Sequence, residues 1–308
     1  MITSLLENFP NDIQILPKRC LRRRLNSYSC TLCIDSCPSQ ALKLIENNVH
    51  LDQFQCTDCA RCVAVCPNEA FESTRSNIYS DIKNKKTGSL LFSCYRQQAG
   101  TSEEVIVPCL GIISPEVILY LTSSNYKSVS LNTETCATCI NSIAIESLLK
   151  SIELLFADFP QYFNLEINFS NKRIKNSKIT SNERRSFLRT IGGEVSGLVS
   201  KQISGKMTCE NSSRNTGRRL PAKRKLLNES PFFNSSNFPT SLYPQMLLSE
   251  ECTFCPRCTG MCPTGALKIA RSKNDKILTF APVLCSECGL CEEFCKKKAI
   301  TILKILTN

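Results

Sequence analysis

The sequence predicts an α+β chain in which two small cysteine-rich domains flank a small α/β domain, with a long basic linker before the second of them. Three observations carry this prediction. One cysteine spacing occurs four times, twice near each end; apolar segments of strand and helix pattern alternate between the two pairs; and a stretch rich in Asn, Ser and Lys follows that alternation. The 308 residues include 21 Cys, one His and no Trp. The opening MITSLLENFPNDIQILPKRC lacks a basic n-region followed by an apolar h-region. No run approaches the roughly 18 apolar residues that span a bilayer. Such a chain is expected in the cytoplasm, a reducing compartment where clustered thiols hold metal more often than they pair.

The spacing is complete in three copies: Cys56, Cys59, Cys62 and Cys66; Cys252, Cys255, Cys258 and Cys262; and Cys285, Cys288, Cys291 and Cys295. Two residues between ligands let a short loop curl around three corners of an iron-sulfur cube and turn its amides inward. The fourth cysteine lies too far along to close the same cube and belongs to the other site of a pair. A proline follows it in most copies, which suits the first turn of a helix; Lys296 stands there in the last copy. Each fourth cysteine opens a matching tail, CPSQAL, CPNEAF, CPTGAL and CKKKAI, and short hairpin strands are expected after the tails. Zinc is the alternative for such pairs, although zinc ribbons usually present two pairs across a longer loop.

Residues of about 18–80 and 247–308 closely resemble the two-cluster bacterial-type ferredoxin domain on these motifs. The resemblance implies a small α+β fold of pseudo-twofold symmetry with two neighbouring [4Fe-4S] clusters per domain, four in the chain. The first copy has Cys30, Cys33 and Cys37 but Ser27 where a ligand belongs. Cys20 can fold back across LRRRLNSYS, because the entropy of closing a loop grows slowly with its length. Arg22, Arg23 and Arg24 would then lie beside a negative site. A three-cysteine site, or ligation by the Ser27 oxygen, are the alternatives. The expected sets are Cys20, Cys30, Cys33 and Cys66; Cys56, Cys59, Cys62 and Cys37; Cys252, Cys255, Cys258 and Cys295; and Cys285, Cys288, Cys291 and Cys262.

Residues 88–170 alternate between strand and helix patterns. SLLFSC and EVIVPCLG read as buried strands. Ser114 and Pro115 read as the cap and first residue of the helix PEVILYLTS. SVSLN is a third strand and LEINF a fourth. INSIAIESLLKSIELLFADF is an amphipathic helix with Ile140, Ile143, Ala144, Leu148, Ile152 and Leu155 on one face. This alternation argues for a largely parallel sheet. Cys94, Cys109, Cys136 and Cys139 fall at the carboxyl ends of its strands, where ligand sites gather. They would suit a two-iron cluster or a zinc ion, or serve as buried structural thiols. The segment is similar to the delta-type iron-sulfur subunit that links hydrogenases to heterodisulfide reductase. The matching residues are Cys94 followed by Tyr95, VPCLGIISPEVIL around Cys109, and the strand before Cys136. That resemblance implies a two-iron cluster, although Cys136 and Cys139 stand closer together than is usual there.

Residues 171–246 turn polar and basic, with runs KRIKNSK, RNTGRR and PAKRKLL, and read as a solvated linker with one short helix near Arg184 to Val199. The phrase ERRSFLRTIGG looks like a twin-arginine signal but lies behind two cysteine motifs and is read as coincidence. Cys209 is left over as an ordinary thiol, and the lone His50 as a surface or packing residue. The formal charge of +11 counts thiols as neutral. Four clusters of about −2 each would reduce it to about +3. The charge therefore makes no strong case for nucleic acid, and no aromatic residues interleave the basic runs.

These features predict a multi-cluster iron-sulfur electron-transfer protein, a carrier or subunit relaying electrons to or from a larger oxidoreductase. No catalytic site of its own is visible: there is no phosphate loop, dinucleotide glycine motif or nucleophile-base pair. The expected partner is a redox protein rather than a membrane, a nucleic acid or a small-molecule substrate. The alternative is an accessory or redox-sensing protein that assists or regulates a metalloenzyme.

Overall fold

The computed structural model describes residues 11–85, 88–124, 126–158, 166–169, 172–173, 218–230, 243–272 and 275–304. Cys209, the twin-arginine-like phrase and the short helix expected near Arg184 to Val199 lie outside the described residues.

In the N-terminal unit the order is β1 (Ile13–Ile15), α1 (Leu32–Asp35), β2 (Leu42–Ile45), β3 (Asn48–Leu51), α2 (Arg61–Val65), β4 (Phe71–Ser73) and α3 (Ile78–Asn84). β2 and β3 form a hairpin, and β1 pairs antiparallel with β4, Ile13 opposite Ser73. The unit thus begins upstream of residue 18. Exposed His50 stands on β3.

The short helices end at the fourth cysteine rather than starting after it, with Cys66 as the C-cap of α2. The chain then turns, because the third residue beyond each fourth cysteine takes a left-handed backbone: Gln40, Glu69, Gly265 and Lys298. The expected helix start at the proline is therefore replaced by a turn. Proline suits it for the same reason, needing no amide partner.

The middle unit holds β5 (Gly88–Cys94), β6 (Glu104–Val107), α4 (Pro115–Ser123), β7 (Tyr126–Leu131), α5 (Ser142–Asp158), β8 (Glu166–Phe169) and β9 (Lys172–Arg173). The sheet order is β6-β5-β7-β8-β9, parallel throughout except for β8 with β9. α5 buries Ala144, Ile145, Leu148, Ile152 and Leu155. Ile140 and Ile143, expected on that face, are 64% and 56% exposed. The helix is rotated by its neighbour: a Cβ on Gly111 would lie 3.1 Å from the Ala144 methyl, which fixes Ala144 at the contact and turns Ile143 outward.

Next comes α6 (Ala222–Asn228). It corrects the reading of PAKRKLL as solvated, since Lys223, Arg224, Leu226 and Leu227 are all buried. The C-terminal unit repeats the N-terminal plan with β10 (Gln245–Leu248), α7 (Arg257–Met261), β11 (Leu267–Ser272), β12 (Asp275–Phe280), α8 (Leu290–Phe294) and β13 (Ile300–Leu303). Again the outer strands pair, β10 with β13, around a hairpin, β11 with β12. The N-terminal and middle units share one apolar core, joined by Leu226 and Leu227 of α6, whereas the C-terminal unit has its own. No helix among the described residues is long and apolar enough to cross a membrane.

Candidate metal centres

The three-cysteine loops are shaped by backbone that few residues adopt. Asp58, Phe254 and Glu287, each two residues after the first cysteine of its loop, have positive φ, as do Ala60 and Gly289 after the second cysteines of two loops. Alternation of right- and left-handed residues turns successive amides toward one concavity. The Glu287 amide lies 3.4 Å from Cys285 Sγ, and the tails add the Ala70 amide 3.2 Å from Cys66 Sγ and the Ala299 amide 3.4 Å from Cys295 Sγ. In these two tails the shared alanine thus has a place: its backbone reaches back to the sulfur.

Cys20, Cys30, Cys33 and Cys66 line one cavity with Leu21, Leu32, Val49 and Phe71. Cys20 reaches it because the chain turns tightly on either side of this residue, in single 3-10 turns at Pro17–Arg19 and Leu21–Arg23. Ser27 is exposed and does not line the cavity. Of the three arginines only Arg22 is buried; its Nε donates to the Cys30 carbonyl at 2.7 Å. Burial above all, together with the neighbouring Cys66, Cys30 and Cys20, pushes the Cys33 thiol up to about 12.

Cys37, Cys56, Cys59 and Cys62 gather beside this first set. Burial above all, with Cys59 and Cys37 also contributing, raises Cys56 to about 11. Buried Cys62 is raised strongly, and its neighbours include Cys33 of the first set. In the C-terminal unit, burial raises Cys258 to about 11, with Cys255, Cys252 and Cys295 beside it. Cys255 is exposed. Cys262, Cys285, Cys288 and Cys291 line a cavity walled by Leu267, Phe280 and Ile302.

The middle cysteines also converge. Cys94 ends β5, Cys109 follows β6, and Cys136 and Cys139 bracket a 3-10 turn between β7 and α5. Burial pushes Cys109 up to about 12, and Cys59, Cys94 and Cys136 add to the shift. Cys136 is raised to about 11 by burial and by Cys94 and Cys139. Cys59 belongs to the second set, so the middle site adjoins it. The approach is close because Gly111 has no side chain: a Cβ there would lie 2.5 Å from the Cys59 carbonyl oxygen. Asn141 Nδ2 donates to the Thr57 carbonyl at 3.0 Å across the same seam.

Residues 26–70 and 248–301 match the family model of the 4Fe-4S dicluster domain. Two dicluster domains support an iron-sulfur electron-transfer protein, and the clusters they indicate are of the 4Fe-4S type. No curated protein matches the chain.

The donor chemistry of the sets fits such groups. Two of the sets ring cavities with apolar walls, which leaves room for a cluster among the thiols. Raised thiol pKa values mean that thiolates there need compensation. Arg61 supplies it beside Cys59, Cys109 and Cys62, its own pKa lowered by burial. Lys223 favours the thiolate of Cys66 and Arg224 that of Cys285.

Sequence reasoning missed the segment carrying those last two cations. The Lys223 ammonium donates to the Ala64 carbonyl at 3.0 Å and stands 3.6 Å from Glu116, and its amide donates to Glu69 at 2.8 Å. Arg219 pairs with Glu69 at 2.9 Å, and Arg224 with Glu287 at 3.0 Å. α6 thereby ties both dicluster domains to the middle unit. Pro221 before a Leu226-Leu227 pair was the available signal.

Proposed function

We propose that the chain is a multi-site electron carrier, or the electron-transfer subunit of a larger oxidoreductase, passing electrons between redox proteins. The observation that carries this reading is the gathering of the described cysteines into sets of four, each adjoining another. The four dicluster sets each hold a [4Fe-4S] cluster, with Cys20 completing the first. Cys94, Cys109, Cys136 and Cys139 hold a [2Fe-2S] cluster, which the likeness of the middle unit to the delta-type subunit supports over zinc. Resemblance of the middle unit to the delta-type subunit supports the subunit form of the reading. When bound, such clusters supply one-electron oxidation and reduction.

The chain's own residues set the conditions. Inward amides hydrogen-bond to sulfur, apolar walls exclude water, and buried cations offset thiolate charge, which together fix where the potentials lie. Residues 18–80, 88–170 and 247–308 are the site-bearing units, the first extended to Ile13 by β1. Substrate chemistry belongs to the partner. A reducing compartment such as the cytoplasm fits the absence of disulfides among the described cysteines.

Anaerobic purification with iron and sulfide quantitation and electron paramagnetic resonance tests the reading. The expected content is roughly 18 iron atoms per chain, from four cubes and one two-iron centre. Zinc without sulfide-bound iron would reject it. A redox-sensing role is favoured only by the exposure of Cys255. It predicts that a single site changes state and alters binding, whereas the relay predicts reversible reduction of all of them.

A further inference from the structure

The two dicluster domains touch at Tyr28. This residue is 5% exposed, and its ring packs with Leu21 and Leu290, with Cys30, Met261 and Cys288 against the same cluster. The Tyr28 hydroxyl donates to the Cys288 carbonyl. Beside it the Ser29 amide and hydroxyl both bind the Glu293 carboxylate, at 2.8 and 2.9 Å. Cys30 belongs to the first set and Cys288 to the inner C-terminal set, so one phenol ring, two residues along the chain from a ligand of one, ends on the backbone of a ligand of the other. A buried tyrosine offers apolar bulk with one polar tip. Here the tip is satisfied by the opposing domain alone, which ties the packing of the ring to the docking of the two units.

We propose that Tyr28 is the junction between the dicluster domains: the positioning residue that orders the five sets into one unbranched series. The series runs from the middle site through the Cys59 set and the Cys33 set, across Tyr28, to the Cys288 set and then the Cys258 set. The middle unit is thus a terminus beside the N-terminal domain, and the C-terminal domain connects without it. This rests on the electron-relay reading. Each crossing oxidises one inner site by one electron and reduces the other by one, and Tyr28 keeps its proton. The external donor and acceptor are one-electron redox proteins. The rival crossing is α6, whose Lys223 and Arg224 lie near Cys66 and Cys285.

The test uses the full chain, anaerobically reconstituted and assayed for iron, with a photoreduced flavin as one-electron donor. Rapid-freeze paramagnetic resonance follows redistribution of the electron between the domains. Tyr28→Ala is expected to slow interdomain redistribution on the order of tenfold or more, one decade for each 1.36 kcal/mol of added barrier. Asn228→Ala, which removes the hydrogen bond from α6 to the Val283 carbonyl, leaves the rate unchanged. Tyr28→Phe keeps the ring and loses one hydrogen bond, so amide exchange around Leu290 rises about fivefold. Tyr28→Ala with full iron and the wild-type rate would overturn the proposal. If Tyr28→Ala loses iron, Tyr28→Phe decides, and wild-type exchange together with wild-type redistribution overturns it. Failure of the wild-type protein to be reduced reversibly would instead sink the relay reading, and the exchange measurement on Tyr28→Phe would still test the junction.

Discussion

Arg224 and Glu287 form an ion pair at 3.0 Å with each side chain 1% exposed, and breaking it from one side should release α6. The pair is poorly compensated, since Arg224 Nε and Nη1 find no hydrogen-bond partner. Desolvating each ion costs several kcal/mol, so the pair as a whole is a weak source of stability, but removing one member strands the other charge at a cost of about 3–5 kcal/mol. Arg224→Ala should therefore lower amide protection across residues 222–228 by about two to four orders of magnitude, one for each 1.4 kcal/mol. The double variant Arg224→Met with Glu287→Leu should return to within about tenfold of wild type, because no charge is left buried. Leucine at 287 meets the same left-handed backbone that Glu287 already tolerates at φ 58°. Hydrogen exchange read by mass spectrometry on the anaerobic protein measures both. Protection in Arg224→Ala within tenfold of wild type, or a double variant no better than the single one, would refute the reasoning.

Cys20→Ala should remove the signal of one cube and roughly four iron atoms per chain, leaving the other dicluster sites; unchanged iron would exclude Cys20 as a ligand. Gly111→Ala should cost about 1–3 kcal/mol in denaturant unfolding and alter the spectra of the middle and Cys59 sites together, since its methyl meets the Cys59 carbonyl. Burial raises the Asp12 pKa, but hydrogen bonds from Ser73, Thr74 and Arg75 outweigh it and hold the carboxyl below its ordinary 3.8. A folded pKa below the unfolded one contributes stability above the unfolded value that is lost as pH falls through the folded value. The denaturant-midpoint advantage of wild type over Asp12→Asn should thus shrink below about pH 4, and a constant gap down to pH 3 would contradict it. Arg61→Met should lower the reduction potentials of the two adjoining sites by roughly 40–170 mV, the equivalent of about 1–4 kcal/mol for one near charge; potentials unmoved in titration would refute the assignment.

The dicluster pattern was legible because spacing alone dictates how a short loop turns, and the gap at Ser27 is what singled out Cys20 as a candidate. Convergence of Cys94, Cys109, Cys136 and Cys139 followed from one property of parallel sheets, that the carboxyl ends of the strands share an edge. Long-range contacts set the features that the sequence hid. PAKRKLL looks solvated in any local window, since its acidic partners Glu69, Glu116 and Glu287 lie far along the chain. The buried face of α5 was off by one residue at Ile143 because periodicity gives a stripe of some width, while the contact with Gly111 fixes its centre. Proline after the fourth cysteine was ambiguous between helix start and turn, and the left-handed residue two positions later decides for the turn. Nothing local marks Tyr28, whose partner is 260 residues away.

Charge explains why the basic residues concentrate where they do. Among the described residues the buried cations are Arg22, Arg61, Lys223 and Arg224, and each stands beside a cysteine of a set: Cys30, Cys59, Cys66 and Cys285 respectively. A buried cation without compensation would cost several kcal/mol. Lys223 and Arg224 have carboxylate partners, whereas Arg22 rests on neutral carbonyl oxygens and Arg61 Nε has no hydrogen-bond partner. For Arg61 the available compensation is the negative charge of thiolates on either side, at Cys59, Cys62 and Cys109. Thiolates at those positions, as metal ligands would be, offset the charge. Arg61 thereby stands between the middle cysteines and the Cys59 set and acts electrostatically on both.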